Sequence, residues 1–192
     1  MISFLCIVIG YLLGSLNPAA LLSRLKKKDL RKHGTGNLGA TNTMLVFGKR
    51  YGALVMVFDI AKTWLAVKLA EFLFPNLIAA GLIAGCGAVI GHIFPFYLKF
   101  KGGKGFAAYA GMILAFDPIS FLILLVICTT LMILANYSAA MPMSAAVLFP
   151  ILTLIRTGSP VLVLIAVGIG IVIVIKHWRN LRKGINGSDI QI

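Results

Sequence analysis

Long apolar runs separated by short polar segments dominate this chain, at about residues 2–23, 53–74, 77–93, 119–135, 143–156 and 160–175. Several approach the roughly 20 residues that an α-helix needs to cross about 30 Å of hydrocarbon. A further apolar stretch, 106–135, is interrupted by Asp117-Pro118. Proline there predicts a helix boundary, leaving a short segment, 106–116, ahead of 119–135. The pattern predicts an all-α polytopic membrane protein with about seven transmembrane helices, one of them short. A re-entrant 106–116, which would change the count, is the alternative. No soluble domain of any size is expected, and residues 1–192 read as a single integral-membrane domain.

Composition agrees, with 60% hydrophobic residues and a mean hydropathy of +1.00. No basic residue precedes the first apolar run and no clear small-residue cleavage site follows it, so it reads as a span and not as a signal peptide. Cys6, Cys86 and Cys128 all lie within apolar runs and form no CxxC pair. They read as small buried hydrophobes, without a disulfide framework or a zinc site.

The net charge of +13 would favour nucleic acid if it were spread over a soluble surface. Instead, 15 of the 18 basic residues fall in three segments: 24–50, 99–104 and 176–183. Short loops rich in Lys and Arg stay cytoplasmic. All three segments are therefore expected on the cytoplasmic side, with the N-terminus outside and the C-terminal tail inside. Nucleic acid is not an expected partner; membrane lipid is. Part of the charge, Lys26–Lys28 above all, reads as an orienting cluster that touches anionic lipid.

Each basic segment also carries polar residues that could do chemistry. The first holds HGTGNLGATNT, residues 33–43, with three glycines, Thr35, Asn37, Thr41, Asn42 and Thr43, and no acid. Small residues let backbone N–H groups approach a ligand while hydroxyls and amides add hydrogen bonds; a polar loop with capping residues is the plainer reading. The second, GHIFPFYLKFKGGKGFA (91–107), holds Gly102, Gly103, Lys104 and Gly105. It could form a nest of N–H groups for an anion at a helix start, or simply a glycine turn. Phe106 after Gly105 excludes the GxxxxGK[ST] phosphate loop, so ATP is a poor fit. The third is KHWRNLRKGINGSD (176–189), where His177 and Asn180 share a helix face. A basic juxtamembrane anchor with an interfacial Trp178 is its plainer reading. Asp59 and Lys62, three apart in the second run, are predicted to form an ion pair within the membrane.

Candidate bases are few. His33, His92 and His177 are followed five positions on by Leu38, Tyr97 and Arg182, so no His-x4-Asp pair exists, and GxSxG is absent. Any transfer here would rest on positioning and anion stabilisation, which suits an already activated substrate. Five scattered acids make a metal site unexpected.

GTGNLGATNT, GHIFPFYLKFKGGKGFA and His177-x-x-Asn180 with a distal Gly187 resemble the three cytoplasmic motifs of the PlsY family, bacterial inner-membrane acyltransferases. The resemblance spans nearly the whole chain, including the Asp59-x-x-Lys62 pair. It implies transfer of a fatty acyl group from acyl phosphate to the 1-hydroxyl of glycerol 3-phosphate, giving lysophosphatidic acid, with no metal or other cofactor. By the same resemblance Thr35, Asn37, His92 and Lys104 would be catalytic. Thr41, Asn42, Gly102, Gly103, Gly105, His177 and Asn180 would bind substrate. The acyl phosphate's own phosphate would accept the proton, or His92 would.

The chain departs from the family pattern in several places. Thr35 stands in place of serine, Leu45 near a usual arginine, and Asn136 in place of arginine. Ala139 and Pro142 replace serines; Trp178 and Asp189 replace arginine and glutamate in the third motif. A non-catalytic relative binding a phosphate-bearing lipid precursor is the second reading. An anion transporter is the third, with only Arg156, Asp117 and Glu71 toward the outer face.

Overall fold

Pro18 ends the first apolar helix early. In the computed structural model, which describes residues 1–185 and side chains through Trp178, the expected span 2–23 is two helices, α1 (Ile2–Ser15) and α2 (Pro18–Leu25). Proline has no N–H to donate and takes the first helical position of α2, while the Asn17 side chain accepts from the Ala20 N–H at 2.8 Å. Such a break leaves carbonyls of α1 without helical partners in apolar surroundings, at several kcal/mol each. Distant side chains satisfy them: Tyr97 donates to the Ser15 carbonyl (2.7 Å) and Lys62 to that of Leu16 (2.6 Å).

Apart from α3, which forms at the end of the first polar motif, the remaining helices follow the apolar runs, and no strand occurs among the described residues. They are α3 (Ala40–Phe47), α4 (Lys49–Leu73), α5 (Ala80–Ile93), α6 (Phe106–Phe116), α7 (Pro118–Leu134), α8 (Ala140–Thr157) and α9 (Pro160–Ile185). Ile2–Leu25, Ala80–Leu98, Ala140–Thr157 and Pro160–Trp178 are long and apolar enough to cross a membrane, and α6 and α7 are shorter apolar helices. The 25 residues of α4 span about 37 Å although Asp59, Lys62, Lys68 and Glu71 lie within them. The chain forms two compact units, Met1–Phe116 and Asp117–Ile192.

In the first unit α1 lies against α5, and α4 packs on α3, α5 and α6. The α1–α5 contact is glycine against backbone. A Cβ at Gly10 or Gly14 would strike the Ala84 or Ala88 carbonyl, and one at Gly87 or Gly91 the Ile7 or Tyr11 carbonyl. Two small-xxx-small faces thus bring the helix axes close, the packing available where lipid removes any hydrophobic drive between helices. Leu12, Leu54 and Phe58 stay exposed on the outside of this unit.

In the second unit α8 packs on both α7 and α9. Pro150, inside α8, cannot donate to the Ala146 carbonyl; Gly170 of α9 lies beside that oxygen, where a Cβ would clash. Asp117 caps α7 through the Ile119 N–H (3.1 Å), accepts from Ser120 (2.7 Å) and pairs with Arg156 near the end of α8.

Candidate active site

The first motif is a loop built around one buried amide. Asn42, fully buried on α3, donates to the Leu30 and Asn37 carbonyls (2.9 Å each) and accepts from the Thr35 N–H (2.7 Å). Gly34, at φ +59°, packs so tightly on the Asn42 side-chain Oδ1 that no Cβ would fit. Asn42, expected at the substrate, has its side-chain amide hydrogen-bonded within the loop in this structure. Its amide is committed to the loop backbone, and it positions the loop. Thr35 and Thr41 remain exposed and Asn37 is half-buried. Upstream, the Arg31 guanidinium beside Asp29 holds that carboxyl below the usual carboxylate range.

The second motif closes back on α5. The Gly103 and Gly102 N–H groups donate to the carbonyls of His92 (3.1 Å) and Ile93 (3.0 Å), satisfying two acceptors that the end of α5 leaves open. An open anion nest over these two glycines is therefore corrected: their amides cap a helix. Lys99 and Phe100 follow the short turn 96–98 with φ of 55° and 58°, the left-handed region that non-glycine residues rarely adopt. Lys104, half-buried, stands between this cap and Gly105 (φ +91°), where α6 begins.

Beneath the cap lies the cluster that sequence only half revealed. Asp59 and Lys62 pair at 2.7 Å as expected, but His92 completes a buried triad. Its Nδ1 is 3.1 Å from Lys62 Nζ and 3.2 Å from Asp59 Oδ1, and all three side chains are 5% exposed or less. A bare Nδ1 accepts from Lys62; a protonated one donates to Asp59. The Nε2 edge faces Gly103 so closely that a Cβ there would overlap it. With the Leu16 carbonyl, Lys62 has a partner for every ammonium proton.

Asn17 ties the two motifs together. Its side-chain amide donates to the Leu38 carbonyl (3.3 Å) and its N–H to the Tyr97 hydroxyl (3.1 Å). Leu38 and Leu98 also share one buried cluster with Ala19, Leu30 and Val55. Sequence reasoning missed Asn17. The signal was Asn-Pro inside an apolar run, a helix start where an uninterrupted span was read.

The third motif belongs to the second unit. His177 is buried on α9, and its Nδ1 donates to the Ile173 carbonyl (2.9 Å), which leaves Nε2 as the acceptor of the neutral ring. The side chain of Asn180, and Gly187 and Asp189, lie outside the described residues. Of the departing positions, Leu45 is exposed on α3 and Ala139 is buried. Asn136 takes φ 48° in the turn before α8, and Pro142 sits in the first turn of α8, where no N–H is needed. No group of three or more His, Cys, Asp or Glu side chains among the described residues could hold a metal ion.

A family model described as glycerol-3-phosphate acyltransferase matches residues 4–187. The chain belongs to the glycerol-3-phosphate acyltransferase family. It is 38% identical to the glycerol-3-phosphate acyltransferase of Macrococcus caseolyticus, over 98% of this chain and 96% of that protein. It is 32% identical to the one from Thermoanaerobacter pseudethanolicus, over 100% and 96%. Crystal structures of PlsY, an integral membrane glycerol 3-phosphate acyltransferase, superpose on 99% of this chain and 95% of theirs. The glycerol 3-phosphate form gives a TM-score of 0.91 at 27% identity, and the lysophosphatidic acid form 0.87 at 29%. Like these members, the chain is a multi-pass membrane protein.

Proposed function

We propose that the chain, acting as one domain over residues 1–192, transfers a fatty acyl group from acyl phosphate to the 1-hydroxyl of glycerol 3-phosphate. The products are lysophosphatidic acid and phosphate, the first step of phospholipid synthesis. The observation that carries this reading is the match, over nearly the full chain, to PlsY in both its glycerol 3-phosphate and lysophosphatidic acid forms. The protein sits in the bacterial inner membrane with its N-terminus outside and its basic tail in the cytoplasm, in keeping with the three basic segments.

The chemistry needs little covalent help, because the donor is already activated. A bond forms between the glycerol oxygen and the acyl carbon, and the bond from that carbon to the phosphate oxygen breaks. Phosphate leaves with the electron pair and takes up the hydroxyl proton. Lys104, at the mouth of α6, opposes the negative charge that develops as phosphate departs. Thr35 and Asn37 supply hydrogen bonds at the reacting groups, and Thr41 at the glycerol 3-phosphate. Asn42 serves by holding their loop. Gly102, Gly103 and Gly105 let the second loop close over α5, and His92 acts through Gly103 as a positioning residue. His177 and Asn180 are assigned to substrate binding by the family resemblance.

The purified protein should release phosphate from acyl phosphate only when glycerol 3-phosphate is present, and should form lysophosphatidic acid from acyl phosphate but not from acyl-CoA or acyl-carrier protein. Lys104→Ala should abolish release; full activity in that variant overturns the site assignment. Tight glycerol 3-phosphate binding without turnover would instead favour the non-catalytic relative, for which the missing arginines at Leu45 and Asn136 and the missing serines at Ala139 and Pro142 are the motivating departures.

A further inference from the structure

We infer that Asn17, at the break between α1 and α2, is a positioning residue for acyl transfer, with Tyr97 as its partner. It fixes the spacing between the loop that carries Thr35, Asn37 and Thr41 and the loop that carries Lys104. The inference rests on the acyltransferase reading and adds how the two loops are brought into register.

Each loop is held by its own bonds. Asn42 braces the first from within, through Leu30, Thr35 and Asn37. The Gly102 and Gly103 amides seat the second on the end of α5. Neither set relates one loop to the other, whereas Asn17 touches both. Its Nδ2 donates to the Leu38 carbonyl (3.3 Å), next in the chain to Asn37. Its backbone N–H donates to the Tyr97 hydroxyl (3.1 Å), in the short turn that leads into the glycines. That hydroxyl donates in turn to the Ser15 carbonyl (2.7 Å), on the α1 side of the break. Asn17 and Leu38 are 6% and 2% exposed, so water does not compete for the bond between them.

Capping alone does not require asparagine here. Ser or Asp starts a helix equally well through a side-chain oxygen, and Asn17 Oδ1 already does so at the Ala20 N–H (2.8 Å). The amide adds a donor on the other branch of the same side chain, so one residue both starts α2 and grips the first loop. Alignment of this kind acts on rate more than on affinity. A misplacement of about 1 Å between reacting groups costs on the order of a hundredfold, while each substrate keeps the contacts of its own loop.

The test uses the full chain in detergent or nanodiscs, with acyl phosphate and glycerol 3-phosphate as substrates. Asn17→Ser keeps a cap for α2 but no longer reaches Leu38, and Tyr97→Phe keeps the ring but loses the hydroxyl. Each should lower kcat about tenfold or more while both KM values stay within about twofold. The double variant should be no more than about twofold slower than the slower single, because the two changes sever one link. Asn17→Ala removes the cap as well; it should unfold at a lower temperature than Asn17→Ser yet turn over no more slowly. The proposal is overturned if kcat is unchanged in either single variant, if either KM rises as much as kcat falls, or if the losses multiply in the double variant. It is equally overturned if kcat tracks unfolding temperature across Asn17→Ser and Asn17→Ala, which marks a residue that only holds the fold. Should the wild type show no turnover, the acyltransferase reading fails, and hydrogen exchange still decides whether Asn17 couples the loops. Asn17→Ser should then speed exchange in residues 34–39 and 96–103 together; a change confined to the first segment, or none, overturns the proposal.

Discussion

Lys62, midway along α4, donates at 2.6 Å to the carbonyl of Leu16, the residue at which α1 breaks. The ammonium that satisfies this orphaned carbonyl also pairs with Asp59 and reaches His92, which backs the Gly102–Gly103 turn. One side chain thus links the break in the first span to the glycine loop.

Removing only the cation should therefore be severe. Lys62→Met leaves the Asp59 carboxylate and the Leu16 carbonyl buried without their donor, at about 3–5 kcal/mol. Thermal unfolding in detergent should drop by about 10 °C. The double variant Asp59→Leu/Lys62→Leu should lose less than either single change, because no uncompensated charge remains. Equal or greater loss in the double variant would contradict the buried-charge account.

Gly103→Ala places a methyl where His92 Nε2 lies, so the ring or the turn must shift. Overpacking of this kind costs about 1–3 kcal/mol, and kcat should fall at least tenfold as the loop moves. Gly168→Ala, exposed on α9 with open space around it, should match wild type or gain up to about 1 kcal/mol. The pair of variants separates a specific contact from a general intolerance of alanine.

Asn42→Ala removes three hydrogen bonds from the first motif, at about 1 kcal/mol apiece. The KM for glycerol 3-phosphate should rise as the loop loosens. Asn42→Asp keeps the acceptor for Thr35 but sets a carboxylate against two carbonyls, and should be no better. Wild-type kinetics in both variants would remove Asn42 from any role.

The Asp117–Arg156 pair predicts a pH dependence. Partial burial of Asp117, which alone would raise its pKa, is outweighed by the bonds from Arg156 and Ser120, so the carboxyl is held below its ordinary value. A depressed folded pKa stabilises above the unfolded value of about 3.9, and that contribution is lost as pH falls through the lower folded value. The destabilisation by Arg156→Ala at pH 7 should therefore shrink by pH 3. A pH-independent difference in thermal stability would show that the guanidinium acts through packing alone.

The sequence by itself determined most of the framework. Apolar run length and the Asp117-Pro118 boundary were enough for the apolar helices from α4 onward, because a chain in lipid must satisfy its backbone within each span. The three basic segments and the Asp59–Lys62 pair were legible as residue types at fixed spacing. Local pattern could not show that Asn17-Pro18 splits the first span, since the groups that make the split tolerable, Lys62 and Tyr97, lie about 45 and 80 residues away. Nor could it show that the Gly102 and Gly103 amides face α5 instead of an anion, or that Asn42 is enclosed by its own loop. Those outcomes depend on which buried donor meets which orphaned acceptor, and only the packing of α1, α4 and α5 decided that.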